Sequence, residues 1–147
     1  MTRTSTMLAV ALFATVVSAP VLSMAADTKP SLYERLGGTG PITAVVGKFV
    51  ANVAADNRIN GYFAKADIPN LKRQLVDQVC QASGGPCTYT GKDMKTTHKG
   101  MKITTAAFNA LVEDLVAALD TFNVPEQEKG ELLSVLGPMN KDIVEVP

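Results

Sequence analysis

The sequence predicts an all-α fold built on four main helices. Three features of the 147-residue chain carry that prediction. Apolar residues recur at three- and four-residue intervals in four long segments. Most of these segments open on a capping residue or an early proline, and the first two are followed by turn-forming sequence. No stretch alternates apolar and polar side chains as a strand does, and no internal repeat is visible.

The amino-terminal stretch is set aside before the helices are placed. Arg3 and the amino terminus are positive, and an apolar run follows from Met7 to Leu22. Ser23-Met24-Ala25 then places small residues where signal peptidase reads. The run is shorter than the roughly 18–20 residues of a spanning helix, and Ser18 and Pro20 lie inside it. The expectation is a secretory leader, residues 1–25, removed on export to the periplasm or beyond. Residues 26–147 then form one domain without a membrane span. An uncleaved anchor is the alternative.

Ser31 and Glu34 read as a capping box that opens a short helix, stopped by Gly37-Gly38. Pro41 sits at the first position of the next, whose stripe is Ile42, Val45, Val46, Phe49, Val50 and Val53, ending near residue 55. Asp67 caps a helix with Ile68, Leu71, Leu75, Val79 and Ala82 on one side, closed by Gly84-Gly85-Pro86. A loop follows, then one or two helical turns around Met94–His98 and a break at Gly100. Ile103-Thr104 opens a third long helix, with Phe108, Leu111, Val112, Leu115, Val116 and Leu119 as its expected buried face. Asn123 reads as the N-cap of the fourth, which carries Leu132, Leu133, Leu136, Met139 and Ile143 past a kink at Gly137-Pro138.

Composition limits the function. Lys+Arg and Asp+Glu number 14 each, so the chain has no basic field for nucleic acid or an anionic membrane. The two cysteines, Cys80 and Cys87, are expected to form a disulfide, which an exported compartment permits. Their short spacing spans a reversal at Gly84-Gly85-Pro86; two buried free thiols are the alternative. Two thiolates alone lack the further ligands of a structural zinc site.

His98 is the single histidine, in the stretch "MKTTHKG". Read from the residues alone, it is a surface or structural side chain, a catalytic base, or the sole protein ligand of a metal cofactor. A Cys–His nucleophile pair conflicts with oxidation of the cysteines, and the C-x-x-C-H pattern of covalently attached haem is absent. A non-covalent haem remains open, because one neutral imidazole is sufficient ligation for its iron.

Five stretches decide between these. "LYERLGG" at 32–38, "F-x-x-x-V-x-x-D-x-R-I" at 49–59, "YF" at 62–63, "GGP-x-x-YTG" at 84–91 and "M-K-x-x-H-x-G-x-x-I-T" at 94–104 stand in one order. Together they resemble a group I truncated haemoglobin over about residues 31–145. The resemblance implies a two-over-two helical sandwich around haem b, with His98 as the proximal iron ligand. It also implies that Phe63 packs on the haem face, and that Leu71, Leu75 and Val79 face the haem opposite His98. Met94 and Phe108 then belong to the proximal pocket, and Tyr89 lies near the haem edge, within reach of a propionate.

The departures from the family pattern concern the distal pocket, formed on this reading by Val50, Leu71, Gln74 and Leu75. Family members often have tyrosine at the position of Val50 and glutamine at those of Leu71 or Leu75, where these groups hydrogen-bond the gas. Some have histidine at the position of Gln74, able to close the sixth iron site. The implied function is reversible binding of diatomic gases, with an apolar distal pocket, rapid oxygen release and comparatively tight carbon monoxide binding. The alternative is a periplasmic haem redox protein, whether nitric oxide dioxygenase-like, peroxidase-like or electron-transferring, with an unidentified redox partner.

Overall fold

The computed structural model describes residues 28–147; the leader expected at residues 1–25 lies outside them. The first helix, α1 (Leu32–Arg35), shows both halves of the capping box. The Glu34 amide donates to the Ser31 hydroxyl at 3.2 Å, and the Ser31 amide donates to the Glu34 carboxylate at 2.7 Å. The long α2 (Thr39–Ala55) starts two residues before the expected Pro41, from Gly38 as N-cap. Pro41 fits in the first turn because the first four amides of a helix have no carbonyl partner within it.

A 3₁₀ turn, Asn60–Phe63, leads to α3 (Ile68–Ala82), where the Asp67 carboxylate accepts from the Asn70 amide at 3.1 Å. Short α4 (Met94–His98) and long α5 (Thr105–Thr121) are capped in the same manner by Asp93 and Thr104. The last segments are α6 (Glu126–Leu136), a 3₁₀ turn at Gly137–Met139 in place of a simple kink, and α7 (Asn140–Ile143). Pro125, not Asn123, is the N-cap of α6. Asn123 has φ 53°, and the Val124 amide donates back to the Leu119 carbonyl. It therefore closes α5 in the left-handed conformation that asparagine tolerates better than most residues.

Helix α2 packs on both α3 and α5, whereas α3 and α5 scarcely meet. Helices α2, α3, α5 and α6 make a two-over-two helical sandwich, so the expected all-α class holds. Among the described residues an isolated parallel bridge, Thr104 to Val146, stands outside the helices. Ile42, Val45, Val46, Phe49, Val50 and Val53 of α2 are all buried, as a helix covered on two sides requires. On α5 the expected buried face is only partly correct. Ala110, Ala118 and Leu119 are buried, while Phe108, Leu111 and Leu115 are half-buried. Leu71 and Leu75 of α3 are half-buried too. These apolar side chains border an internal space.

Cys80 and Cys87 form a disulfide with Cα atoms 5.7 Å apart. A Cβ on Gly85 would lie 2.5 Å from the Tyr33 ring and 2.7 Å from the Cys80 sulfur, so that position admits only glycine without movement. The bridge ties the end of α3 to the loop that precedes α4. Closing so short a loop contributes about 2 kcal/mol in the chain-entropy treatment, on the order of 5–10 °C for a domain of this size. A reduced or Cys80→Ser/Cys87→Ser protein is expected to melt lower by that margin in differential scanning calorimetry. Equal melting temperatures would refute a stabilising bridge.

Arg35 joins α1 to α6, donating to Glu128 at 2.7 Å and to both carboxylate oxygens of Glu131. The guanidinium, followed by Gln127, pulls the Glu131 carboxyl down to about 2 from an ordinary 4.5. A lowered carboxylate pKa stabilises the fold above the unfolded value and ceases to do so as pH falls through the folded value. Arg35→Ala is therefore expected to lower the melting temperature at pH 6–7, by a margin that shrinks between about pH 4.5 and 2. A difference that persists unchanged at the acid end would exclude the ion pair as its source.

Candidate functional site

The space between α3 and α5 is a cavity of about 640 Å³, within the roughly 300–1,000 Å³ typical of ligand pockets. Its walls are overwhelmingly apolar: Ile42, Val45, Val46 and Phe49 from α2, Leu71, Leu75 and Val79 from α3, and Phe108, Leu111 and Leu115 from α5. Leu132, Leu133 and Leu136 close it from α6. A cavity of this size walled by aliphatic and aromatic side chains suits a large apolar ligand.

His98 lines this cavity from the last position of α4 and is half-buried. Its Nδ1 lies 2.8 Å from the Met94 carbonyl oxygen. A carbonyl only accepts, so Nδ1 carries the hydrogen and, in the neutral ring, Nε2 keeps a free lone pair. That arrangement is how ligating histidines are usually oriented. Among the described residues no group of three His, Cys, Asp or Glu side chains is placed to hold a metal. A bare zinc-like ion needs three or four protein ligands, so this donor set suits only a metal that brings most of its own ligands.

Phe63, Met94, Phe108, Leu71, Leu75 and Val79 all line the cavity, as does Tyr89 at its rim. The Tyr89 hydroxyl donates to the Lys92 carbonyl at 2.7 Å, and its amide donates to the Gln81 side chain at 2.6 Å. Burial, with the nearby Asp93 charge, pushes the phenol above its ordinary pKa, which keeps it a neutral donor. The rim also carries Thr90 and the exposed Lys92.

Val50 is buried, 7% exposed, and is not among the side chains that line the cavity. Phe49, one residue earlier and about 100° away around the helix, makes that part of the wall. Gln74 does line the cavity, and its Oε1 is buried without a hydrogen-bond partner. It is therefore not a solvated helix residue. Gln78 was not anticipated, although it lies one turn beyond Gln74 on the same face. Its Nε2 is 3.4 Å from the Met139 sulfur and 3.6 Å from the Met94 sulfur, which occupies its donors.

A helical sandwich closed over an apolar chamber, with one oriented imidazole at its wall, defines a globin-like class of protein. Comparison with known sequences and structures agrees. The family profile described as bacterial-like globin matches residues 31–145. A group 1 truncated haemoglobin of Tetrahymena thermophila is 35% identical over 114 residues, 78% of this chain and 94% of that protein. One from Mycolicibacterium paratuberculosis is 34% identical over 113 residues, 77% of this chain and 83% of that protein. The crystal structure of Tetrahymena pyriformis truncated haemoglobin, Fe(III) form, superposes with a TM-score of 0.76 at 33% identity, covering 78% of this chain and 98% of that one. The 2/2 haemoglobin of a Synechococcus species, solved in the cyanomet state with covalently attached haem, gives 0.74 at 30% identity over 78% and 98%. The chain belongs to the bacterial-like globin family, as a truncated haemoglobin of group 1.

Proposed function

We propose that the chain is an exported haem b protein that reversibly binds oxygen, carbon monoxide and nitric oxide. One observation carries this reading. The only imidazole in the sequence stands at the wall of a large apolar cavity, its Nδ1 held by the Met94 carbonyl and its Nε2 lone pair free. When bound, haem supplies the iron at which a diatomic gas is held and released.

The chain's own residues divide the remaining work. His98 Nε2 ligates, and the Met94 carbonyl sets the tautomer and ring direction. Phe63, Leu71, Leu75, Val79, Met94 and Phe108 cover an apolar macrocycle and exclude water. Tyr89, Thr90 and Lys92 at the rim suit the propionate end. Gln74 supplies the polar group on the α3 wall. The disulfide supports the exported location, because an oxidising compartment preserves it.

A visible spectrum of the protein recovered from cell fractions tests the reading. The expected result is a strong Soret band that shifts on adding carbon monoxide to the reduced protein, found in the periplasmic or secreted fraction. A chain that takes up no haem refutes the proposal. A ferrous spectrum that is six-coordinate before any gas is added, and insensitive to carbon monoxide, would favour electron transfer instead.

A further inference from the structure

The segment that carries His98 is poorly equipped to hold its own shape. Helix α4 has five residues, far fewer than a helix needs to persist without help. Directly after His98 the backbone twice enters the left-handed region, at Gly100 (φ 81°) and Lys102 (φ 54°). Glycine adopts that conformation freely and lysine does not. A conformation of this kind persists only where its surroundings impose it.

The constraint comes from the far end of the chain. The Gly100 amide donates to Glu145 Oε1 at 2.7 Å, and the Lys102 amide donates to Glu145 Oε2 at 2.6 Å. One carboxylate thus receives both amides that the two left-handed residues present. Glu145 is itself fixed by backbone pairing: its amide and that of Val146 donate to the Ile103 carbonyl at 2.9 and 3.1 Å. The Thr105 amide returns a bond to the Val146 carbonyl at 3.1 Å. Buried Ile143 anchors α7 just before this strap, and α7 packs against α4. The two amides hold the Glu145 carboxyl below its ordinary range, so it is ionised at neutral pH.

We propose that Glu145 is a positioning residue for His98, clamping the turn from Gly100 to Lys102 and thereby fixing the direction in which the imidazole meets the haem iron. This rests on the reading of His98 as the iron ligand. The Glu145 side chain is exposed, so truncating it opens no cavity in the core. Its loss acts on the loop and, through the loop, on the ring.

The test uses the full chain, with and without haem, as wild type, Glu145→Ala, Glu145→Gln and the double variant Glu145→Ala/Lys102→Gly. Three quantities are read: amide hydrogen exchange at Gly100 and Lys102, the iron–histidine stretching band in resonance Raman spectra, and the rate of haem transfer to apomyoglobin. Glu145→Ala is expected to speed exchange at both amides and haem transfer several-fold, and to shift or broaden the stretching band. Glu145→Gln, with one acceptor oxygen, should protect one amide and fall between. Glycine at 102 removes the strain and should recover part of the loss. An unshifted band with unchanged exchange in Glu145→Ala overturns the inference while leaving haem binding intact. If the wild type takes up no haem, the underlying reading fails. The apo chain's exchange pattern and the His98 ring nitrogen shifts then still decide whether Glu145 orders the segment.

Discussion

His98→Ala protein is expected to lose stable haem retention, with affinity lower by more than roughly 100-fold. That figure is the upper end of what removing a hydrogen-bond partner of a metal ligand costs a metal site, and His98 is the ligand itself on this reading. The sequence contains no second histidine to take over. The soft donors nearest the site, the Met94 and Met139 sulfurs, are both approached by the Gln78 amide. Alanine also leaves the apolar walls unchanged, so any residual affinity reports the hydrophobic contribution alone. Haem titration of apo protein, followed at the Soret band, measures the loss. Imidazole added to the variant should restore part of the band by filling the vacated position. A His98→Ala protein with its full complement of haem and an unaltered spectrum would remove the central assignment.

The helices were legible in the sequence because their apolar spacing and caps are local properties. Ser31 and Asp67 cap where the sequence expects them to, and Thr104 caps the helix expected to open at Ile103-Thr104. Asn123 misled because asparagine serves both as an N-cap and as a left-handed stop, and only the chain direction after Leu119 separates the two. The α5 stripe was legible as apolar but not as the wall of a cavity. Periodicity shows which face turns inward, and cannot show whether protein or ligand covers it. Phe49 and Val50 are adjacent members of one buried stripe, so assigning the cavity wall to either needs the helix rotation. Gln78 lay within reach of i, i+4 reasoning from Gln74. Glu145 did not: its partners are 45 and 43 residues away, and no local pattern announces them.

On the sequence the inner distal positions are aliphatic, with Gln74 the nearest polar side chain, and oxygen is expected to leave quickly, more slowly with a tyrosine at 50. The position on which that expectation turns is Gln74, a cavity-lining residue with a buried polar atom. Val50 is enclosed in the core, so tyrosine there must overpack it, a change that typically costs about 1–3 kcal/mol of stability. Leu71, Leu75 and Val79 have no polar group to offer, and the Gln78 amide is engaged with the two methionine sulfurs. Gln74 alone on this wall has a buried polar atom without a partner. Turning its amide end over exchanges oxygen for the N–H donors, so the group can present a donor to a polar ligand.

Gln74→Leu keeps nearly the same volume and removes the amide. A hydrogen bond contributes about 0.5–1.5 kcal/mol net, so oxygen release is expected to quicken roughly 2- to 12-fold. Carbon monoxide release, from a less polar adduct, should change much less. The apo variant should melt no lower than wild type, because an unsatisfied buried amide is itself unfavourable. Stopped-flow displacement of oxygen by carbon monoxide measures the first effect and calorimetry the last. Unchanged oxygen release in Gln74→Leu, together with faster release in Gln78→Leu, would transfer the role to Gln78. Unchanged release in both would return the pocket to the apolar description.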